Sequence, residues 1–231
     1  LLLPVFALFF PLEISIALTA IVHFLNNLFK LILLKKHTDF KIGFKFGIPA
    51  ILAALLGAQL LIYLGHFESF FSYSLSKKEF QINLLNIIIG VLLIFFALVE
   101  LIPSWSKIHF SKNKLILGGI LSGFFGGLSG HQGALRSAFL VNLGLSKESF
   151  IATGVLIACF IDIARLGVYF SNFPSSEISA NFNILIAAIC SAFAGALVGN
   201  TLLKKVTLDQ LKLIVGGLLL ILGIAIIMGI I

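Results

Sequence analysis

Long apolar runs, separated by short polar connections, dominate this sequence. Most of the runs approach or exceed the roughly 20 residues that an α-helix needs to cross a bilayer core about 30 Å thick. The pattern therefore predicts six membrane-spanning helices, preceded by a shorter apolar stretch, residues 1–10, that Pro11 ends. The six predicted spans are residues 13–34, 44–64, 82–102, 147–170, 181–203 and 208–231.

A glycine-rich segment interrupts the apolar run from residue 115 to residue 143. Residues 126–137 read Gly-Gly-Leu-Ser-Gly-His-Gln-Gly-Ala-Leu-Arg-Ser, which places polar and charged side chains in a stretch that otherwise suits lipid. In a bilayer, unwound backbone and ionised side chains are tolerated only where protein or a water-filled cavity satisfies them. We therefore expect this segment to form the functional site.

Two topologies fit the interrupted run, and the positions of the lysines distinguish them. If the run were one straight span, Lys204 and Lys205 would lie on the other side of the membrane from the lysines that follow the first span. The loop around Glu177 would lie on the same side of the membrane as those lysines. That arrangement violates the rule that cytoplasmic loops carry the excess of Lys and Arg. A helical hairpin, with arms 115–128 and 134–143 that are too short to span, returns the chain to its starting side. We predict the hairpin.

The hairpin topology collects the basic connections on one side, which we predict to be cytoplasmic. Lys77 and Lys78 remain on the other side, where Glu68 and Glu79 balance their charge. Trp105 is predicted to be an interfacial anchor after the fourth span. The cytoplasmic lysines of this topology lie within residues 30–45, 107–114, 147 and 204–212.

Composition agrees with a membrane protein and excludes several other classes. Hydrophobic residues make up 60% of the chain and charged residues 11%, against about 25% charged in soluble domains. The net charge of +7 is explained by the loop lysines, and no soluble segment could hold a groove for nucleic acid. Cys159 and Cys190 lie in apolar segments without metal-ligand spacing, so we expect them to pack as small hydrophobic residues.

No motif for enzyme chemistry occurs in the chain. The sequence contains no His-Glu-x-x-His, Gly-x-Ser-x-Gly or Cys-x-x-Cys and no Walker glycine loop, which are the short signatures of metalloproteases, serine hydrolases, redox proteins and ATPases. We expect a protein that is not an enzyme, binds no cofactor or metal, and has the lipid bilayer as its environment. A separate ATPase subunit stays an open alternative.

An internal repeat accompanies the predicted spans. Ala17-Leu18-Thr19 aligns with Ala152-Thr153-Gly154, and the same register aligns Asn27 with Asp162. Three positions later, each copy has a basic residue. Two glycines in later spans follow in the same order. The further aligned pairs are Lys30 with Arg165, Gly57 with Gly195, and Gly90 with Gly216. Order-preserving matches of this kind are typical of transporters built from two structural repeats.

The repeat predicts an all-α polytopic membrane protein, organised as one integral membrane domain. Its first repeat would be residues 1–103 and its second residues 104–231. Each repeat would contain one hairpin and three spanning helices, which is an odd number of crossings, so the two copies should lie inverted relative to each other. Residues 1–10 would then be the returning arm of a first hairpin, whose other arm we expect to precede residue 1.

These motifs resemble the TauE/SafE family of sulfite exporters and related anion permeases. Members typically carry a glycine-rich turn that leads into a helix, then a short loop and an Ala-x-Thr or Ala-Thr helix start, once in each half. The second copy here extends from the turn at 118–133 through 143–148 to Ala152-Thr153, and the first copy retains its end, residues 3–19. The resemblance covers nearly the whole chain.

The resemblance implies a permease for sulfite, sulfonates or other small organosulfur and carboxylate anions, coupled to an ion gradient. The chain departs from the family where a further glycine and a proline often follow the turn, because it has His131-Gln132 and Arg136-Ser137 there. That departure leaves the fold assignment intact and leaves the exact substrate open. A location in the prokaryotic plasma (inner) membrane is expected as well, and homo-oligomer formation is left open.

The predicted hairpin tip offers several groups that suit an anion. The helix that restarts after Gly133 presents unpaired N–H groups, which with the helix dipole form a ready anion site. Arg136 could hold a sulfite, sulfonate or carboxylate group bidentately, or pair with protein groups to lock the hairpin. His131 could bind the anion, carry a coupling proton or make only a turn hydrogen bond. The predicted substrate-binding residues are Gly130, His131, Gln132, Gly133, Arg136, Ser137, Asn27 and Arg165.

Asp162 and Arg165 lie three positions apart, so on a helix they share a face and can pair. One interpretation is an internal ion pair that neutralises both groups. The other is that Asp162, like His131, couples transport to a proton or sodium ion while Arg165 faces the anion path. His23, Asn26 and Asn27 form a polar patch on the second helix that could face the same cavity.

Three functions fit these residues. The first is a secondary transporter that moves a small anion by alternating access around the hairpin tips. The second is a passive anion channel with the same residues. The third is a non-transporting membrane subunit of a larger complex, whose polar residues only pack helices.

Overall fold

The computed structural model describes residues 2–75, 78–102, 104, 110–172, 182–202 and 208–230. Several positions on which the predicted topology depends lie outside these described residues: the predicted anchor Trp105, Lys77, Lys107, Glu177, Lys204 and Lys205. Within the described residues the chain forms helices and one β-hairpin. The elements are α1 (Leu2–Ala7), α2 (Leu12–Leu34), α3 (Phe40–Gly65), β1 (Phe71–Leu75), β2 (Lys78–Ile82), α4 (Leu84–Leu101), α5 (Leu115–Ser129), α6 (Gly133–Leu140), α7 (Lys147–Asn172), α8 (Phe182–Leu202) and α9 (Leu208–Ile227).

The helices confirm the predicted all-α polytopic membrane protein. In the described residues, α2, α3, α4 and α7 are long and apolar enough to cross a membrane, and the apolar parts of α8 and α9 are shorter. One face of α3 shows why these helices suit lipid, because Ile48, Leu52 and Leu56 follow each other at helical spacing and are all exposed. The opposite face of α3 is buried and carries small residues such as Ala50 and Ala54.

The connection between α3 and α4 differs from the prediction of a plain polar loop. It contains the antiparallel strands β1 and β2, and α4 therefore begins at Leu84 rather than at residue 82. Tyr73 pairs with Phe80 across the strands, and their rings stack with centroids 5.2 Å apart. Alternating apolar and polar residues with aromatic cross-strand pairs favour a hairpin over irregular backbone.

The predicted helical hairpin is confirmed by contacts between α5 and α6. Near the tip, Ser122 Oγ donates to the Gln132 carbonyl at 3.2 Å. Farther from the tip, the Phe139 ring fills the space that a side chain at Gly118 would need. The two helices are therefore antiparallel. The Phe110 amide donates to the Ala138 carbonyl at 3.1 Å, so the hairpin returns to the side where it began.

Glycines allow α5 to pack directly against the backbone of α3. Gly119, Gly123 and Gly127 face the carbonyls of Phe46, Ala50 and Ala54 in turn, and a Cβ at any of the three would overlap that carbonyl. The matching four-residue steps mean that α3 and α5 run parallel. Small residues at such spacing permit the close helix contact that stabilises membrane bundles.

We expect Gly123→Ala to lower the free energy of unfolding by about 1–3 kcal/mol, because overpacking forces backbone shifts. The rigid Ala50 backbone cannot move aside as a flexible side chain could. Gly167→Ala is the matched control, since a Cβ at Gly167 would meet nothing within 4 Å. Unfolding of both variants in detergent micelles would measure the difference. Equal stability of the two variants would contradict the proposed close contact.

Candidate functional site

The helices α2 and α7 meet at the carboxylate of Asp162, which is completely buried. Its Oδ1 accepts hydrogen bonds from Arg165 Nε at 3.0 Å and from Gln132 Nε2 at 3.5 Å, and Arg165 NH2 lies 2.8 Å away. Its Oδ2 accepts from His23 Nδ1 at 2.8 Å and from Asn27 Nδ2 at 3.1 Å. Both oxygens are thus occupied by protein donors. Asp162 and Arg165 form the ion pair that their spacing predicts.

A cavity of about 370 Å³ adjoins this network. It lies between the hairpin tip and helices α1, α2, α4, α7, α8 and α9, and its wall includes apolar side chains such as Leu3, Phe96 and Leu219. At about 30 Å³ per molecule, this volume would hold roughly a dozen waters. The cavity is therefore larger than an inorganic oxyanion requires.

Two arginines line the cavity, and each has a donor atom without a hydrogen-bond partner among the described residues. Arg136 and Arg165 both line it, and the NH1 atom of each is buried without a hydrogen-bond partner among the described residues. Each group lies against a glycine, because a Cβ at Gly154 would be 3.3 Å from Arg136 Nε and a Cβ at Gly130 would be 2.8 Å from Arg165 NH1. Buried donors are normally paired. These two guanidinium nitrogens are therefore donors from which an anion could accept hydrogen bonds.

The hairpin tip owes its shape to a left-handed glycine. Gly130 has φ +78° and ends α5, where its amide donates to the Gly126 carbonyl at 3.0 Å. His131 Nδ1 then donates to the Ser129 carbonyl at 2.9 Å, and its ring stacks on Phe96 with centroids 6.0 Å apart. His131 therefore makes the turn hydrogen bond that was one of its predicted roles. This bond uses Nδ1, and the second ring nitrogen, Nε2, belongs to a side chain that lines the cavity.

The structure brings most of the predicted binding residues together. Those that line the cavity are Gly130, His131, Gln132, Gly133, Arg136 and Arg165. Asn27 does not line it and instead lies behind it, bound to Asp162, whereas its neighbour Asn26 does line it. Ser137 does not line it either. Successive residues of a helix point about 100° apart, since a turn takes 3.6 residues, and this separates Ser137 from Arg136.

Glu100 also lines the cavity, although it is not among the binding residues predicted from the sequence. The sequence does contain a signal for this residue, because Glu100 is the one charged residue of α4. An ionisable side chain within an apolar span is by default a functional candidate. Gln132 and Asn26 also line the cavity, and Gln132 Oε1 and Asn26 Oδ1 are buried without hydrogen-bond partners among the described residues.

Comparison with known proteins connects this architecture to one family. The model of the family described as "Sulfite exporter TauE/SafE" matches residues 1–226. Neither the curated proteins nor the solved structures give a match to the chain. Proteins of the matched family are membrane permeases for anions such as sulfite, and they are transporters rather than enzymes. The match extends over nearly the whole length and confirms the resemblance of the glycine-rich motifs, so this integral membrane protein belongs to the TauE/SafE sulfite exporter family.

Proposed function

We propose that this protein is a secondary transporter that moves a small anion, such as sulfite, a sulfonate or a related organosulfur or carboxylate compound, through the cavity at the hairpin tip. The observation that carries the proposal is the pair of unpaired NH1 atoms of Arg136 and Arg165 at one cavity. The family supports the general class of substrate. We extend the proposal to a prokaryotic inner membrane with the basic connections in the cytoplasm.

The charges of the cavity wall favour an anion beside Arg136. Arg165 is already neutralised by Asp162 at 2.8 Å, whereas Arg136 forms no ion pair among the described residues. An oxyanion placed between the two guanidinium groups would accept from both NH1 atoms and supply the missing charge. The first residues of α6, Gly133 and Ala134, also line the cavity, so their amides are near the same place.

We further propose that the two repeats are inverted copies, and the contacts of two aligned glycines support this. Gly90 in α4 faces the Ile227 side chain in α9, and Gly216 in α9 faces the Leu101 side chain in α4. Gly216 follows Gly90 by 126 positions, and Ile227 follows Leu101 by the same number. A two-fold rotation would therefore exchange the two contacts. Such an axis is what inverted repeats require.

The pair formed by Asn27 and Asp162 supports the same axis. These residues are equivalent in the repeat alignment, and they hydrogen-bond to each other at 3.1 Å. Equivalent residues meet in this way only close to a two-fold axis. Alternating access would then consist of one repeat rocking against the other around the cavity, as in other carriers with inverted repeats.

Reconstitution in proteoliposomes tests the proposed function. We expect labelled sulfite or ethanesulfonate to leave the vesicles at a saturable rate that external unlabelled anion accelerates, because a carrier reorients faster when loaded. Flux without saturation or acceleration would identify a passive channel instead. No flux by the purified protein, together with a copurifying partner, would identify a non-transporting subunit.

We expect Gly130→Ala to impair anion exchange, because a methyl group there would displace Arg165 NH1. Gly144→Ala is the matched control, since Gly144 also has positive φ (+72°) but a Cβ there would meet nothing within 4 Å. Both variants should lose about 1–2 kcal/mol of stability, the usual cost of left-handed backbone for an L-residue. Only Gly130→Ala should raise the anion concentration needed for half-maximal exchange. Equal exchange by the two variants would argue against Arg165 in the site.

A further inference from the structure

Glu100 occupies a defined position relative to the hairpin tip. It lies four residues after Phe96 in α4, so both side chains are on one face of the helix. The Phe96 ring stacks on His131, and Glu100 is therefore about 6 Å farther along the helix axis, given a rise of 1.5 Å per residue. This is the direction of the basic connections. Glu100 and the hairpin tip line the same cavity.

Glu100 is the carboxylate at this cavity that has capacity to bind a proton. It forms no ion pair or hydrogen bond to another described residue. Asp162 is different, because both of its oxygens accept from protein donors and Arg165 lies 2.8 Å away. A proton on Asp162 would have to break these contacts. The structure thus disfavours one of the two coupling candidates considered from sequence.

The charges of the cavity wall explain why a proton on Glu100 would help an anion to enter. Asp162 and Arg165 cancel each other, which leaves the positive Arg136 and the negative Glu100 as the unpaired charges of the wall. An incoming anion is attracted by the first and repelled by the second, and the repulsion is strong where water is scarce. A proton on Glu100 removes the repulsion and leaves the attraction. An anion and a proton then enter more readily together than either does alone.

We propose that Glu100 carries the coupling proton of this transporter, so that one proton moves with each anion. This inference rests on the proposed function. The proton binds a carboxylate oxygen of Glu100 from water on one side of the membrane and leaves to water on the other. The anion itself undergoes no chemical change.

Several of the elements around Glu100 carry other charged or titratable groups. The cavity wall contributes His23 from α2, His131 from the tip, Arg136 from α6 and Arg165 from α7. On α9, Lys212 lies one turn before Gly216, which faces Leu101. The second half of α3 and the start of α4 belong to one apolar cluster, and this half of α3 has no charged side chain because Lys41 and Lys45 lie at its other end. Of these groups Glu100 is the one unpaired carboxylate.

The test compares wild type with Glu100→Gln and uses Glu79→Gln, an exposed site in β2, as the matched control. Ethanesulfonate is the first probe because its charge does not change with pH, and sulfite is the second. Exchange of labelled for unlabelled anion is measured at equal pH, and accumulation is measured under an imposed pH gradient with the membrane potential clamped at zero. A gradient of one pH unit can sustain about a tenfold accumulation of an anion that moves with one proton.

We expect wild type and Glu79→Gln to accumulate the anion under the gradient, and Glu100→Gln to exchange the anion without accumulating it. Exchange also reports that the variant has folded, and Glu100→Ala serves as a second neutral variant if the amide does not fold. Accumulation by a folded neutral variant would overturn the inference. Wild type that exchanges without accumulating would also overturn it and leave the proposed function standing. Absence of exchange in wild type would overturn the proposed function itself.

Discussion

Asp162→Asn is expected to lower the free energy of unfolding by about 3–5 kcal/mol, the usual loss when one partner of a buried ion pair is removed. Arg165 is 1% exposed and would keep its charge without a counter-ion. The amide would also present an N–H group to donors that now share the carboxylate, among them His23 Nδ1 and Asn27 Nδ2. Unfolding in detergent micelles measures the loss.

Two further variants make this prediction specific. Asp39→Asn changes the same group at the start of α3, where Asp39 Oδ1 caps the helix through the Ile42 amide at 2.9 Å. Because Asn caps a helix as well as Asp does, this control should stay within a few tenths of wild type. Combining Asp162→Asn with Arg165→Gln should recover part of the loss, since no uncompensated charge remains. A double variant less stable than Asp162→Asn alone would argue against the ion pair as the cause.

Arg136→Ala is expected to weaken anion binding about 10- to 100-fold, because a hydrogen bond to a charged group is worth about 1.5–3 kcal/mol and 1.4 kcal/mol is a factor of ten. Its stability should not fall in parallel. Arg136 NH1 is a buried donor without a partner in the described structure, and such a group costs free energy. The concentration for half-maximal exchange in proteoliposomes measures binding, and unfolding in micelles measures stability.

Arg136→Lys and Lys112→Ala sharpen the comparison. Lysine keeps the charge but loses the planar fork that can bind an oxyanion with two N–H groups, so we expect an intermediate affinity. Lys112 is an exposed base outside the cavity, and its removal should change affinity little. If Arg136→Ala instead unfolded the protein while lysine restored stability, Arg136 would be a lock for the hairpin rather than an anion ligand.

The hairpin could be predicted from sequence because its causes are local. Glycines between Gly118 and Gly133 remove the side chains that would prevent close packing and a left-handed turn, and the lysines on both flanks fix the side to which the chain returns. The strands β1 and β2 were missed although Phe71, Tyr73 and Phe80 alternate with polar residues. In a chain dominated by helical spans, five-residue strands give a weak signal.

The full set of residues in the site could not be predicted from sequence spacing, because some of them are far apart along the chain. His23 and Asp162 are 139 positions apart, and their contact depends on where α2 crosses α7. Residue types along one helix relate only neighbours within a few turns, so they indicated the pairing of Asp162 with Arg165 but not its other partners. The rotation of each helix about its own axis could not be predicted either. This rotation places Asn26 rather than Asn27 at the cavity.

Locating a bound anion would show whether Arg136 and Arg165 together hold the substrate. Selenite, a heavier analogue of sulfite, can be found by its anomalous scattering in crystals of the wild-type protein. We predict a selenium peak in the cavity within hydrogen-bond reach of the NH1 atoms of both arginines, and its loss in Arg136→Ala. A peak elsewhere, or an empty cavity in which both NH1 atoms bond to protein oxygens, would mean that these two arginines do not hold the anion.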